Sequence, residues 1–310
     1  MIDITLLGTS ALLPLPDRAL TSAYLACLGH GVLIDCGEGT QTAARRCGAN
    51  ILGAEIIALT HYHGDHIFGL PGLLQTMNSM GRTSPLYFMG PGDVEAALSP
   101  ILRLAGPLGF AISVIPQGAQ PCDVLPSWPR QLLLSAFPTR HRVPSQGYVL
   151  SLLRAGRFSR ERAEAQGVPM RLWGRLQRGE TAEEDGRLFS PDMVMGEARR
   201  GLKVVFSGDT APCPELTEAA KDADLFLCEA TYGEDEQAEE AVEWGHMTFA
   251  LAAGTAKEAG ARRLWLMHFS QRMEAPEEWL PNAQRYFEGA ECGADGKKIT
   301  LRYEDDAPCN

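Results

Sequence analysis

Three of the seven histidines in the 310-residue chain fall inside the six-residue run His61-Tyr-His-Gly-Asp-His66, together with Asp65. Imidazole nitrogens and carboxylate oxygens are the donors that hold zinc in hydrolytic sites. Packing gives no reason for so many polar, ligating groups in so short a run. The run therefore predicts a divalent-cation site and metal-assisted hydrolysis. His61 and His63 stand two residues apart beyond an apolar run, and Gly64 leaves room for a tight bend that turns both toward one point.

Four further candidates stand singly. His141 follows Leu132-Leu-Leu-Ser-Ala-Phe137 after a short Pro-Thr-Arg turn, and Asp209 follows Val204-Val-Phe-Ser207. His268 follows Leu264-Trp-Leu-Met267, and Glu229 ends the run that begins Leu225-Phe-Leu-Cys228. Any one of them alone reads as a packed or surface residue. Their shared position at the ends of apolar runs sets them apart, because open α/β sheets carry their sites beyond the carboxyl ends of strands. His30, in Leu28-Gly-His-Gly31, lies in a hairpin-turn context and is assigned no chemistry.

The elements that must deliver these residues are short runs of Val, Ile and Leu alternating with helical periodicity. Strands are expected over 2–7, 23–28, 31–35, 56–60, 86–88 and 112–115, then over 131–137, 147–153, 203–207, 225–228 and 264–267. Helices are expected over 40–47, 66–80, 94–105, 214–220 and 248–259, the last capped by Thr248. This pattern implies an α/β protein with sheet packed on sheet. The segment 154–200 breaks it, being charged, weakly periodic and punctuated by Gly and Pro. At that length between two strands it reads as an inserted flexible arm within a single domain spanning 1–310.

Composition narrows the function. No stretch approaches the ~18 apolar residues of a membrane helix. The start, Met1-Ile-Asp-Ile, has no basic leader, so a cytoplasmic protein without a membrane partner is expected. The eight cysteines are scattered with no C-x-x-C pair, which argues against a disulfide framework and a cysteine zinc finger; they are expected to be reduced and mostly buried. The net charge of −11 argues against a generic nucleic-acid surface, and no DNA partner is expected. Locally, 154–178 holds seven Arg against two Glu, a basic patch that composition alone reads equally well as a solvated helical face. The acid-rich stretches at 234–243 and Glu304-Asp-Asp306 read as solvated surface.

The run at 61–66 resembles the H-x-H-x-D-H motif of the metallo-β-lactamase superfamily, whose fold is an αββα sandwich of two facing mixed sheets flanked by helices. More narrowly, the chain is similar to the ribonuclease Z family of tRNA 3′-processing endonucleases. Leu7-Gly-Thr-Ser10, Asp35-Cys-Gly-Glu-Gly-Thr-Gln41, Gly90-Pro-Gly92 and His141-Arg-Val-Pro-Ser-Gln-Gly-Tyr148 carry the likeness. So do Gly208-Asp-Thr210, Glu229-Ala-Thr231, His246-Met-Thr248 and His268-Phe-Ser270. The resemblance implies two Zn2+ per subunit, with Mn2+ or Fe2+ as alternatives. One would be held by His61, His63 and His141, the other by Asp65, His66 and His268, with Asp209 bridging. Asp65 would orient the attacking water, and His246, oriented by Glu229, would protonate the departing 3′ oxygen. The resemblance further implies a homodimer acting on precursor tRNA, with 154–200 as the exosite that grips folded RNA. Arg18, Arg157, Phe158 and Arg175 would be its substrate contacts.

The chain differs from the family pattern at several places. Met170-Arg171 replaces a Gly-Pro pair in the arm, Ala211 an Arg, and Cys228 a His. Pro14-Leu-Pro-Asp-Arg-Ala19 keeps only the Arg of a basic loop. Two other readings follow from these residues. One is a phosphodiesterase or esterase of the same fold acting on a small substrate, with the arm repurposed. The other is a non-catalytic zinc-stabilised RNA-binding protein, disfavoured because a structural zinc is normally closed by four protein ligands.

Overall fold

A computed structural model of the chain describes residues 1–303. The acidic stretch Glu304-Asp-Asp306 and Cys309 lie outside the described residues. The described residues form two compact units, one of 1–152 with 202–303 and one of Leu153–Gly201.

Fifteen strands run in chain order: β1 Ile2–Gly8, β2 Ser22–Cys27, β3 His30–Ile34, β4 Ile56–Ala58, β5 Leu86–Met89, β6 Ile112–Val114, β7 Leu132–Pro138, β8 Gln146–Arg154, β9 Ala182–Glu184, β10 Arg187–Phe189, β11 Arg199–Phe206, β12 Leu225–Glu229, β13 Leu264–Met267, β14 Ala290–Cys292 and β15 Lys298–Leu301. One sheet has the order β15-β1-β2-β3-β4-β5-β6 and a second the order β14-β13-β12-β11-β8-β7. Each is mixed: β3, β4, β5 and β6 run parallel, as do β11, β12, β13 and β14, while β1 pairs antiparallel with β2 and β7 with β8.

Strand period explains the layering, because successive side chains point to opposite faces. Ile4, Leu6, Val32, Ile34, Ile56 and Ala58 of the first sheet join Val204, Phe206, Leu225, Leu227, Trp265 and Met267 of the second in one buried cluster between the sheets. The alternate residues Leu33, Ile57, Leu59 and Phe88 pack outward on the helices Thr40–Cys47, Leu70–Ser79 and Val94–Ala105. Val205, Phe226, Cys228, Leu264 and Leu266 do the same against Pro214–Ala220 and Phe249–Glu258. The result is four layers, αββα, as the resemblance implied.

The sequence expectation differs from the structure at several elements. The single helix expected over 66–80 is two, Gly64–Ile67 and Leu70–Ser79. Between them the Gly69 N–H donates to the Cys36 carbonyl at 2.9 Å, and a side chain there would meet the Gly37 carbonyl oxygen. Pro71 then opens a fresh helix, where its missing N–H costs nothing. The helices Pro121–Val124, Ala238–Trp244 and Leu280–Gln284 were not expected, nor were β14 and β15; each is too short to express a period. Thr248 caps its helix as expected, accepting from the Leu251 N–H at 3.2 Å. Of the described cysteines, all unpaired, only Cys27, Cys36 and Cys228 are buried; the other four are half-buried, fewer than expected.

The unit Leu153–Gly201 contains the helices Arg160–Ala165 and Met170–Gln177 and the hairpin β9–β10. Its own small core is Ala163, Val168, Leu172, Leu176, Ala182, Phe189 and Val194. Helix 170–177 shows why: Leu172 and Leu176, four residues apart, share one buried face. Among the described residues no helix is long and apolar enough to cross a membrane.

Candidate metal centre

The strand ends of both sheets converge on one group of side chains. His61, His63 and His141 bring three imidazole nitrogens within 4.8 Å of one another, and Asp65, His66 and His268 form a second such group. Asp209 stands between them. Its Oδ2 lies 3.7 Å from His61 Nε2, 3.5 Å from His66 Nε2 and 3.3 Å from His268 Nε2. His63 Nδ1 faces His61 Nε2 at 2.9 Å and His141 Nε2 at 3.5 Å.

Backbone geometry helps to aim these groups. His268 takes φ 60 immediately after β13, and Asp35 takes φ 57 immediately after β3. The left-handed region is uncommon for non-glycine residues and concentrates where function constrains the chain. Gly64 does not act as the sequence suggested. Its φ is not positive; a side chain there would instead lie 2.4 Å from the Phe68 ring, so its role is to leave space for that ring.

Two buried carboxylates, neither assigned as a ligand, organise the imidazoles in the same way. Asp35 accepts from His66 Nδ1 at 2.8 Å and from the Thr60 hydroxyl at 2.8 Å, and Thr60 Oγ1 in turn accepts from His61 Nδ1 at 3.0 Å. Glu229 accepts from His246 Nδ1 at 2.8 Å and from the Thr231 hydroxyl at 2.8 Å, and Thr231 Oγ1 accepts from His268 Nδ1 at 2.9 Å. Each carboxylate thus holds one imidazole directly and another through a threonine. His141 Nδ1 donates to the Gly245 carbonyl at 2.9 Å. With Nδ1 carrying the proton, the Nε2 lone pairs of His61, His66, His141 and His268 are left for a cation, the usual division in metal-binding histidines. Sequence reasoning missed Asp35, Thr60 and Thr231 as orienting groups. The available signal was that Asp35 and Thr60, like the candidate ligands, end apolar runs.

The group fits divalent cations. His66 Nε2, His268 Nε2 and Asp209 Oδ1 are buried with no hydrogen-bond partner among the described residues, and buried polar atoms are rarely left so. Burial, reinforced by His66, pushes the His61 pKa well below its usual value and keeps it in the neutral form a metal requires. For Asp65 burial acts upward but is outweighed by His268 and His66, which hold it well below the usual carboxylate range. Asp209 behaves alike, burial being overcome by His268 and His66.

His246, like His66 beside Asp209 and Asp35, is held above the usual imidazole value by carboxylates, but it is half-buried where His66 is enclosed. Burial would lower the His246 pKa, but the charge and hydrogen bond of Glu229, with Asp209 behind them, push it up to about 9. It lies close enough to Asp209, His141 and His268 to be grouped with them.

The substrate-contact candidates lie elsewhere. Arg18 is buried; its Nη2 donates to the Met273 carbonyl at 2.5 Å, and its guanidinium lies 6.0 Å from the centre of the Phe269 ring. Within the unit Leu153–Gly201, Arg157 is exposed and Phe158 half-buried, its ring 5.2 Å from Trp173. Arg175 is exposed and paired with Glu180 at 3.3 Å.

The metallo-β-lactamase superfamily profile matches residues 19–106, and a β-lactamase superfamily domain profile matches residues 193–269. A protein of Lachnoclostridium phytofermentans named Ribonuclease Z is 42% identical over 98% of this chain and 99% of its own. One of Agathobacter rectalis with the same name is 42% identical over 99% of this chain and 100% of its own. Human tRNase Z, short form, superposes with a TM-score of 0.66 at 26% identity, covering 97% of this chain and 99% of its own. A diphosphatase of the PhnP family superposes with a TM-score of 0.62 over 97% of this chain and 98% of its own, but at 16% identity it shares the fold alone. Full-length similarity of this degree, on a fold whose His and Asp groups converge to hold a divalent metal, means that the chain belongs to the ribonuclease Z family of metal-dependent endoribonucleases within the metallo-β-lactamase superfamily.

Proposed function

We propose that the protein removes the 3′ trailer of precursor tRNA by hydrolysing one phosphodiester bond, using two zinc ions. The observation that carries this reading is the meeting of two three-residue ligand groups on Asp209 beside His246, an acid whose pKa is pushed up to about 9. His61, His63 and His141 would hold one ion and Asp65, His66 and His268 the other, with Asp209 between them. When bound, the ions supply positive charge for the phosphoryl oxygens and make water acidic enough to ionise near neutrality. Asp65 orients the attacking water and accepts its proton. His246 donates its proton to the departing 3′ oxygen as the P–O bond breaks, and Glu229 stabilises the imidazolium before transfer. The unit Leu153–Gly201 serves as the RNA-gripping arm of a homodimer in the cytoplasm, a reading supported by the likeness of its sequence to the family arm.

The test is cleavage of a 3′-extended tRNA by protein of measured zinc content, with and without residues 154–200. Specific release of the trailer that depends on zinc, and weakens without the arm, is expected. No cleavage of several such precursors by the zinc-loaded protein, with ready turnover of simple phosphodiesters, would replace this reading with a small-substrate phosphodiesterase.

A further inference from the structure

A cleft of about 970 Å³ opens over the metal centre, with His63, Asp65, Asp209, His246 and His268 at its base. Its walls are unsuited to phosphates. Glu38, Glu234 and Glu240 line them against a single arginine, Arg272. Four large apolar side chains also stand in these walls and face solvent: Leu12 is 62% exposed, Leu13 53%, Phe68 71% and Trp244 47%, the last with the Arg142 guanidinium 4.2 Å from its ring centre. Clustered exposed apolar groups beside a catalytic centre mark a contact surface.

The turn carrying Leu12 and Leu13 is fixed to Asp65. The Leu12 N–H donates to Asp65 Oδ2 at 2.9 Å, which steadies Leu12 at φ 63, a conformation rare for leucine. The Ser10 hydroxyl donates to the Leu13 carbonyl at 2.8 Å and closes the same turn. On the other side, Phe68 follows Asp65 by three residues, and its ring lies against Gly64. A methyl group at Gly64 would come within 2.4 Å of Cε2 and 2.8 Å of both Cδ2 and Cζ. The ring is therefore seated on backbone on one side and open on the other.

We propose that Phe68, with Leu12 and Leu13 opposite, is a stacking seat for an unpaired nucleobase adjoining the scissile phosphate. This rests on the function proposed above. The cations take the phosphate charge, and acidic walls repel neighbouring phosphates, so the surface left for recognition is the face of the base. Stacking of bases on aromatic rings is how proteins hold single-stranded RNA without reading its sequence. A base locked in a duplex has both faces covered, so the seat selects unpaired nucleotides at the cleavage point.

Zinc-loaded wild type, Phe68→Ala and Phe68→Trp are compared on a 3′-extended tRNA and on a short single-stranded oligoribonucleotide. Phe68→Ala is expected to raise KM and the oligoribonucleotide Kd about tenfold, with zinc content unchanged, and Phe68→Trp to restore both. A substrate with an abasic first trailer nucleotide should lose the same factor in wild type and nothing further in Phe68→Ala. Unchanged KM and Kd in Phe68→Ala, or an equal abasic penalty in both proteins, overturns the seat while leaving the cleavage reaction standing. Failure of wild type to cut any extended tRNA defeats the processing function instead; a Phe68-dependent oligoribonucleotide Kd would then still support the seat.

Discussion

At the metal centre the ionisable groups are buried or half-buried, His63 alone being exposed, and Asp35 and Glu229 hold imidazoles in place by hydrogen bonds. In the unit Leu153–Gly201, ten arginines meet eight acids, and most of these side chains face solvent. Arg160 pairs with Glu164, Arg175 and Arg178 with Glu180, and Arg171 with Glu184. Exposed pairs of this kind contribute little, because water and salt screen them. The basic run at 154–178 is therefore not a bare patch: the β9–β10 hairpin and the turn before it return acids to it. Such pairs exchange cheaply for phosphate contacts. The buried set at the metal centre does not exchange, since removing one partner strands the others out of reach of water. One region acts through fixed position, the other through charges that are easily traded.

The largest blow to this contrast is Asp209→Ala, which removes the carboxylate shared by both ligand groups. Loss of bound metal and of all cleavage is expected, read by metal analysis and tRNA assay on the same preparation; retained metal and activity would break the bridging assignment. His246→Asn should lower kcat by about 10² to 10⁴-fold with metal content unchanged, as for loss of a general acid. Thr231→Val interrupts the link from Glu229 to His268 and should weaken metal affinity about 10–100-fold, with Thr231→Ser restoring it. Equilibrium metal competition measures this without reference to turnover.

A smaller effect concerns pH. In the proposed reaction His246 acts in its protonated form, so activity should fall as pH rises through its pKa, which Glu229 raises against the effect of burial. Glu229→Gln removes that negative charge and should move the alkaline limb of kcat/KM to lower pH, leaving the loss smallest in acid. A limb that stays in place would separate Glu229 from His246. The smallest effect is in the arm. Glu180→Gln frees Arg175 and Arg178 and should tighten tRNA binding by about twofold to fivefold, in line with the weakness of exposed pairs, and the gain should fade as salt is raised. Looser binding would show that these pairs order the arm rather than compete with RNA.

The metal groups were legible because their members end apolar runs and their residue types ligate metals. His61, His141, Asp209 and His268 could be placed beyond the carboxyl ends of strands from the chain alone. The break at Gly69 was not legible: apolar spacing runs on through it, and only the close approach of Cys36 and Gly37 shows why the helix must end. Gly64 was read as a bend for the same reason, since its true neighbour, the Phe68 ring, is set by the turn rather than by composition. Arg18 stood in the sequence as a surviving basic contact; packing against Phe269 and Met273 buries it.

The order of residues by itself determined an α/β protein with sheet packed on sheet, through apolar runs alternating with helical periodicity. It also determined the candidate metal-binding groups, through their chemistry and their place after strands; the αββα order of layers came from the family resemblance. Tertiary structure alone decided which nitrogen of His61, His66, His141 and His268 is left to face a metal. That choice depends on Asp35, Thr60, Glu229, Thr231 and the Gly245 carbonyl, several of them far away in the chain and recognisable only once packing has brought each within hydrogen-bond reach of an Nδ1. Tertiary structure likewise decided that Arg171 is already paired: Glu184 reaches it from the β9–β10 hairpin, and a count of charges along the chain carries no distances.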